Sequence, residues 1–185
     1  TGEKVPYQII ELSSPQAPTP MAGHRYALGK IDRRHAMELV FVAKDVPPLG
    51  YKTYMIVPSR GKADFPTTIK VTETTLENRF YKISVDPETG AIVSVYDKEL
   101  GIELVDKDAP HKFNQFIARS VIDGKEYPAE KSMVEKGKTG PVMGSLIIKG
   151  EGVGCPQRTQ EIIIYNDLKR IDIANRLLKD STPLL

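Results

Sequence analysis

The chain has 185 residues, with 26 Lys and Arg against 24 Asp and Glu, and 40% of its residues are hydrophobic. A chain of this length buries roughly 70% of its unfolded surface, so the composition indicates a globular protein and excludes wholesale disorder. The net charge of +2 gives no electrostatic reason to expect nucleic acid. The longest apolar runs, of about four residues, are far shorter than the ~20 that span a bilayer, so no membrane partner is expected.

Short strands rather than helices are predicted along the chain, because 14 Gly and 14 Pro leave little room for long helices. Runs rich in β-branched and aromatic residues, each bounded by turn-formers, predict strands at residues 5–12, 36–44, 51–57, 68–73, 78–85, 91–97, 113–122, 142–150, 158–166 and 170–178. Residues 32–40 are also compatible with a helix, but the β-branched and aromatic residues that follow favour a strand. This spacing is typical of an all-β fold, an antiparallel β-sandwich.

Three turns predict hairpins by local chemistry. Residues 86–90 place Pro87 where φ is near −65° and Gly90 where φ must be positive. Asp123 and Gly124 form the strongest short hairpin signal. Residues 170–177 alternate apolar with charged or small residues, and a turn at 166–169 joins them to the run at 158–165, which predicts a third hairpin.

A domain boundary is predicted where residues 58–67 become polar and aperiodic, with Pro and Gly among them. We predict a small β unit at residues 1–58, a linker at 59–72, and a larger β unit at 73–185.

Motif searches predict no catalytic constellation and no metal site. The three histidines have no metal-ligand spacing. Residues 106–111 group two carboxylates with an imidazole but lack the Gly and Glu of a calcium loop, so they are interpreted as a solvated polar loop.

Two further features receive structural interpretations. The Gly cluster at residues 150–154 precedes a strand rather than a helix, which favours a flexible connection or bulge over a phosphate site. Cys155 is the single cysteine and has no nearby base, so we expect a buried or edge thiol. A single cysteine excludes an internal disulfide framework and suits a reducing compartment, which predicts a cytoplasmic protein.

Three stretches, in one order along nearly the whole chain, carry a resemblance to a known family: DVPPLGYKTY at 45–54, LENRFYKISVDPETGAIVSVYDKE at 76–99 and YNDLKRIDI at 165–173. The first resembles a strand in the small central β-sandwich of α-mannosidases of glycoside hydrolase family 38. The second resembles the opening of that family's large C-terminal β-domain, and the third fits a hairpin of the same domain. The resemblance implies a partial, galactose-mutarotase-like large sandwich preceded by a small β-sandwich segment.

The resemblance also implies that the catalytic groups lie in a different domain of the parent enzyme. In the family, an N-terminal domain carries the zinc ligands and the aspartate nucleophile of a retaining mechanism. No position of this chain matches those motifs, so we expect no catalytic residue, no metal ligand and no cofactor in it, with zinc belonging to the missing catalytic domain. The chain is therefore interpreted as a non-catalytic piece of an α-mannosidase-like enzyme that ends inside the large β-domain.

By its position after the DKE-type turn, the loop at residues 113–116 is the candidate to contact substrate, with Asn114, Gln115 and Phe116 as the substrate-binding residues. The alternative for these residues is an ordinary role in a strand and core. The expected partners are a mannose-containing glycan, reached through the full-length protein, and the rest of the parent enzyme. Self-association is also expected: if the large β-domain continues in the parent protein, its missing strands leave an apolar face and open backbone edges beside the predicted strand at 170–178.

Two other functions remain open from the residues. One is a stand-alone carbohydrate-binding β-module, which exposed aromatic side chains would favour, although the absence of Trp counts against it. The other is an aldose-epimerase-like enzyme, which would need a general acid and base, commonly His and Glu, on one concave face.

Overall fold

The computed structural model describes residues 2–11, 37–57, 64–129 and 131–181. Every regular element in these ranges is a β-strand, and every pairing between them is antiparallel, so the predicted all-β antiparallel fold is confirmed. Over the same ranges, no helix has the length and apolar character needed to cross a bilayer. The chain divides into two compact units, Thr1–Phe65 and Pro66–Leu185, and residues 59–63 of the predicted linker lie outside the described residues.

The described part of the first unit contains one two-stranded sheet. Its strands are β1, Tyr7–Glu11, and β2, Met37–Phe41. The strand interpretation is therefore confirmed for residues 37–41, and residues 32–36 lie outside the described ranges. The strand predicted at 51–57 is wrong, because these residues join no sheet, and all of them except Tyr54 are exposed. A contact between side chains, rather than strand pairing, packs this segment against β2: the centroid of the Tyr54 ring lies 4.9 Å from that of the Phe41 ring.

The second unit begins with a five-stranded sheet in chain order. Its strands are β3 Lys70–Val71, β4 Thr75–Glu77, β5 Tyr81–Val85, β6 Ile92–Asp97 and β7 Ile102–Glu103. The predicted strand at 68–73 is too long and β4 was not predicted. A tight turn separates them, in which the Thr72 hydroxyl accepts a hydrogen bond from the Thr75 amide at 3.0 Å.

Two further sheets complete this unit. A hairpin pairs β8 Ile117–Arg119 with β9 Glu126–Pro128, and a four-stranded sheet contains β10 Met133–Lys136, β11 Met143–Gly152, β12 Cys155–Tyr165 and β13 Ile171–Leu178. The strand predicted at 113–122 is wrong for residues 113–116, since Asn114 adopts φ +53° and Phe113 forms only an isolated bridge to Ile92. β10 was not predicted.

All three predicted hairpins are confirmed. Gly90 has φ +73° and Gly124 has φ +71°. The third hairpin pairs β12 with β13 without a register shift, so that Ile162 lies opposite Ile173. The Gly cluster at 150–154 connects β11 to β12 through a bulge between Gly150 and Gly152, as expected.

The hydrophobic core lies between the five-stranded and four-stranded sheets. Alternate residues of each strand point inward, and the fully buried aliphatic side chains are Leu76, Ile83, Ile92, Leu146, Ile148, Ile162 and Ile164. Each such side chain stabilises the fold by roughly 1.5–3 kcal/mol relative to an exposed one. The same inward alternation places Arg158 and Gln160 of β12 in buried positions. Cys155, at the start of β12, is 4% exposed, and its thiol donates to the carbonyl oxygen of Gln157 at 3.3 Å.

Candidate functional site

A cavity of about 440 Å³ lies in the second unit beside β13. Its apolar wall comes from β6, β13 and the loop after β7, and the residues that line it are Val95, Leu104, Val105, Asp106, Ala109, His111, Lys112, Phe113, Ile171 and Ile173. Cavities that bind small molecules have this character, a mostly apolar wall with a few polar groups. The Phe113 side chain is half exposed, so its ring is available to a ligand.

The loop that forms the polar rim is held by its own side chains. The Lys112 ammonium donates to the carbonyl oxygens of Lys107 and Ala109, at 2.6 and 2.9 Å. Asp106 Oδ1 accepts a hydrogen bond from the Asp108 amide at 2.9 Å. These contacts give the loop at 106–112 a defined conformation.

Glu103 fixes the opposite side of the wall. Its carboxylate accepts hydrogen bonds from the Ser94 hydroxyl at 2.6 Å and from the amides of Val95 and Val105, at 2.6 and 3.2 Å. Burial raises the pKa of this carboxyl, but the hydrogen bonds outweigh that effect, so the pKa lies below its ordinary value. Glu103 is thus a fixed anion that positions two residues of the cavity wall.

An amide pair joins the candidate loop to β13. Asn114 Nδ2 donates to Asn175 Oδ1 at 3.1 Å, and Asn175 Nδ2 donates to Asn114 Oδ1 at 2.8 Å. Asn tolerates the positive φ that Asn114 adopts better than most residues do, which explains why the loop can turn at this position. We name these two residues the amide clasp.

Gln115 and Phe116 have different surroundings. Gln115 Oε1 accepts a hydrogen bond from the Lys112 amide at 2.9 Å, so this side chain closes a local turn. The Phe116 ring lies against Gly152, with the Arg158 guanidinium 5.7 Å from its centroid. None of the three predicted binding residues, Asn114, Gln115 and Phe116, lines the cavity.

Comparison with protein families gives one match over this unit. Residues 76–184 match the model described as "Glycosyl hydrolases family 38 C-terminal domain". The chain belongs to glycosyl hydrolase family 38. Comparisons with curated proteins and with solved structures gave no match. The matched span includes most of the core of this family 38 domain, the cavity and the amide clasp.

The described ranges of this family 38 domain do not fit a zinc site. Within them, no three His, Cys, Asp or Glu side chains lie close enough together to hold a metal ion. A catalytic zinc needs three protein ligands and an open position, so no zinc-dependent step is assigned to these residues. The polar loop predicted at residues 106–111 forms no metal-binding group: Asp106 accepts a hydrogen bond from a backbone amide, and His111 lies near Glu126.

Sequence reasoning missed three contributors to this site in the family 38 domain. Phe113 was placed in the loop but not among the binding residues, although half of its side chain is exposed at the cavity. Glu103 and Asn175 were not predicted at all, because the pairing of β6 with β7 sets the partners of Glu103, and the partner of Asn175 lies in a loop distant in the sequence. The one signal available was the alternation of β13, which places Ile171, Ile173 and Asn175 on one face.

Proposed function

We propose that this chain is a non-catalytic part of an α-mannosidase-like glycosidase, and that it contacts a mannose-containing glycan at the cavity beside Phe113. Membership of family 38 supports the glycosidase class. The observation that carries the contact site is the half-exposed Phe113 ring at a cavity next to the amide clasp. The zinc and the nucleophile are assigned by this proposal to another domain of the parent protein.

The chemistry of these groups suits a sugar. An aromatic ring offers an apolar face to the C–H groups of a pyranose, and nearby amides supply hydrogen bonds to its hydroxyls. Each amide of the clasp uses one N–H and one oxygen lone pair on its partner, so each retains one N–H and one lone pair for a ligand. Asn114 is therefore both a structural and a binding residue in this proposal. Gln115 and Phe116 act through the loop conformation.

A titration with a short α-linked mannose oligosaccharide, followed by NMR, tests the contact site. We expect chemical-shift changes that cluster at Phe113, Asn114 and Asn175, and Phe113→Ala should weaken binding by roughly tenfold because the stacking surface is lost. Tyr96→Ala is the matched control. Tyr96 is an exposed aromatic residue that follows the cavity residue Val95 in β6 and so points to the opposite face. Shift changes confined to other surfaces, or equal binding by Phe113→Ala, would contradict the proposal.

One observation favours a second candidate, an aldose-epimerase-like activity. His111 Nε2 lies 3.4 Å from Glu126 Oε2, and His111 lines the cavity. Such chemistry needs an acid and a base at the same sugar. Polarimetry of freshly dissolved mannose tests it: faster mutarotation that is lost in both His111→Ala and Glu126→Gln would favour this function over a non-catalytic one.

The cytoplasmic location stays a prediction.

A further inference from the structure

Two buried side chains of β12 carry hydrogen-bond donors that have no acceptor. Among the described residues, the buried side-chain nitrogen and oxygen atoms without a hydrogen-bond partner are Arg158 Nε and Gln160 Nε2. Both atoms are donors, and the two residues are 3% and 4% exposed at neighbouring inward positions of the strand. Leaving a buried donor unpaired is unfavourable, so two such donors side by side indicate a missing acceptor.

Arg158 also carries a buried positive charge without a described counter-ion. Its Nη2 donates to the carbonyl oxygen of Thr89 at 3.0 Å and to the Ser132 hydroxyl, and the Phe116 ring lies 5.7 Å from the guanidinium, so these partners are uncharged. The Cys155 thiol lies near enough to interact electrostatically, but it is a donor in its own hydrogen bond. None of the ion pairs between described residues includes Arg158. Burial lowers the pKa of Arg158, but a guanidinium stays protonated in proteins, so its charge requires an anion.

The neighbouring strands supply no acceptor to these donors. Arg158 lies opposite Gly150 of β11 and Leu177 of β13, and neither of these residues has a polar side chain. Gln160 lies opposite an isoleucine of β11 and opposite Asn175 of β13, whose amide is already held in the amide clasp. The acceptor therefore has to come from outside this sheet.

We propose that Arg158 and Gln160 bind the carboxylate of a small organic acid. An ionised carboxylate has acceptors only, so it matches two donors better than a hydroxyl, which brings a proton of its own. Its single negative charge neutralises the single guanidinium, whereas a phosphate dianion would leave a negative charge buried. Residues two apart on a strand are separated by about 6.5 Å, so the long side chains of Arg158 and Gln160 can converge on one carboxylate. This site is separate from the glycan contact at Phe113 and does not rest on it.

Access to the proposed site requires a local movement. Arg158 and Gln160 are buried, so a ligand reaches them only after a covering group moves. The half-buried Phe116 ring lies beside the guanidinium and against Gly152, and this residue precedes β8 rather than lying within a strand. Rotation of this one side chain would expose the guanidinium without breaking a sheet.

A titration with sodium acetate, followed by NMR of the nitrogen-bound side-chain protons, tests the site in the native chain. We expect the signals of Arg158 Nε–H and of the Gln160 side-chain amide to shift together and to saturate. Sodium chloride at the same ionic strength should leave both signals unchanged, because it controls for screening. Acetamide has nearly the same shape as acetate without the charge, so it should not bind. Sodium phosphate should give a weaker response than acetate.

Two substitutions separate binding from a structural role. Gln160→Met removes one donor while keeping the volume, and it should weaken acetate binding by roughly tenfold, since a hydrogen bond to a charged group is lost. Gln157→Met is the matched control, because Gln157 is exposed on the same strand. Arg158→Lys keeps the charge but loses the planar fork, so it should weaken binding at least as much.

Several results would overturn the proposal. They are a lack of response to acetate, equal responses to acetate and chloride, a stronger response to phosphate, or equal affinities of Gln160→Met and Gln157→Met. Glu130 lies outside the described residues and follows Ala129 in the sequence. If acetate has no effect but Glu130→Gln shifts the Arg158 signal, the acceptor is a carboxylate of the chain itself, which also refutes a site for a small acid.

Discussion

The side chain of Asn78 is hydrogen-bonded to the backbone of Tyr165 across the two main sheets, with Nδ2 donating to the carbonyl oxygen at 2.7 Å. The oxygen of the same amide accepts hydrogen bonds from the amides of Phe80 and Tyr81, at 2.8 and 2.7 Å. Asn78 is 1% exposed, so every polar atom of the side chain is paired inside the protein. One residue thereby fixes the turn before β5 and joins it to the end of β12.

Replacing Asn78 should destabilise the protein strongly. Asn78→Ala leaves two amides and a carbonyl without a partner in a buried place, and we expect a loss of about 2–4 kcal/mol in the free energy of unfolding. Asn78→Asp keeps the acceptor but directs a carboxylate oxygen at the Tyr165 carbonyl, so it should also destabilise. Urea unfolding measures both effects. Arg79→Ala, a neighbouring change on an exposed side chain, should stay within about 0.5 kcal/mol of the native protein.

Gly90 should not tolerate a side chain, for two separate reasons. It has φ +73°, and a Cβ at this position would lie 2.5 Å from Ile148 Cγ2. We expect Gly90→Ala to cost about 2–4 kcal/mol through backbone strain and crowding together. Gly124→Ala measures the backbone strain without the crowding. Gly124 has φ +71°, but the atom nearest to a Cβ at this position would be Arg119 Nη2, at an ordinary contact distance of 3.6 Å. Equal losses in the two variants would show that the contact with Ile148 carries no cost.

Glu103 should make the stability depend on acid pH. Its pKa is lower in the folded protein than in the unfolded chain, so the unfolded state binds the proton first and stability falls as pH decreases through the folded pKa. The contribution is fully present above the ordinary glutamate pKa of about 4.3. Glu103→Gln should therefore be less stable at neutral pH, and its difference from the native protein should shrink as pH decreases. Glu151→Gln removes an equal charge from an exposed side chain and should not change that slope.

The chain alone should not hydrolyse an aryl α-mannoside, with or without added zinc. Its described residues offer no group that fits a metal site, and a retaining glycosidase also needs a pair of suitably spaced carboxylates. Release of the aryl group, followed by absorbance, measures this. Turnover above background that disappears when a residue of this chain is substituted would show that catalytic groups lie within it.

Local chemistry explains which parts of the fold could be predicted. The hairpin at Gly90 depends on contacts within five residues, where Asp86 accepts hydrogen bonds from the amides of Glu88 and Gly90. β10 has no such signal, since Val134 becomes part of a strand only by lying opposite Ile148. Short-range pattern therefore predicts turns and long strands but not short strands that depend on a distant partner.

The candidate site also depends on residues that are distant in the sequence, which short-range patterns do not predict. Asn114 was predicted as a contact residue, but its partner Asn175 is 61 positions away, and nothing in the intervening sequence indicates that the two amides meet. In the sequence, nothing distinguishes Glu103 from other polar residues at the ends of strands. Its role comes from the pairing of β6 with β7, which brings the Ser94 hydroxyl and the Val95 amide to its carboxylate.

The burial of Cys155 makes this thiol an internal reporter of local opening. Its sulfur lies at the start of β12, opposite Gly152 of β11, and donates to a backbone carbonyl, so a reagent in solution reaches it only after this end of the hairpin separates. The rate of alkylation in the native protein therefore measures the population of a locally open state. A ligand that binds the closed form should slow the alkylation as more of the protein becomes bound. The native thiol therefore gives an assay for binding partners of this domain that needs no introduced residue.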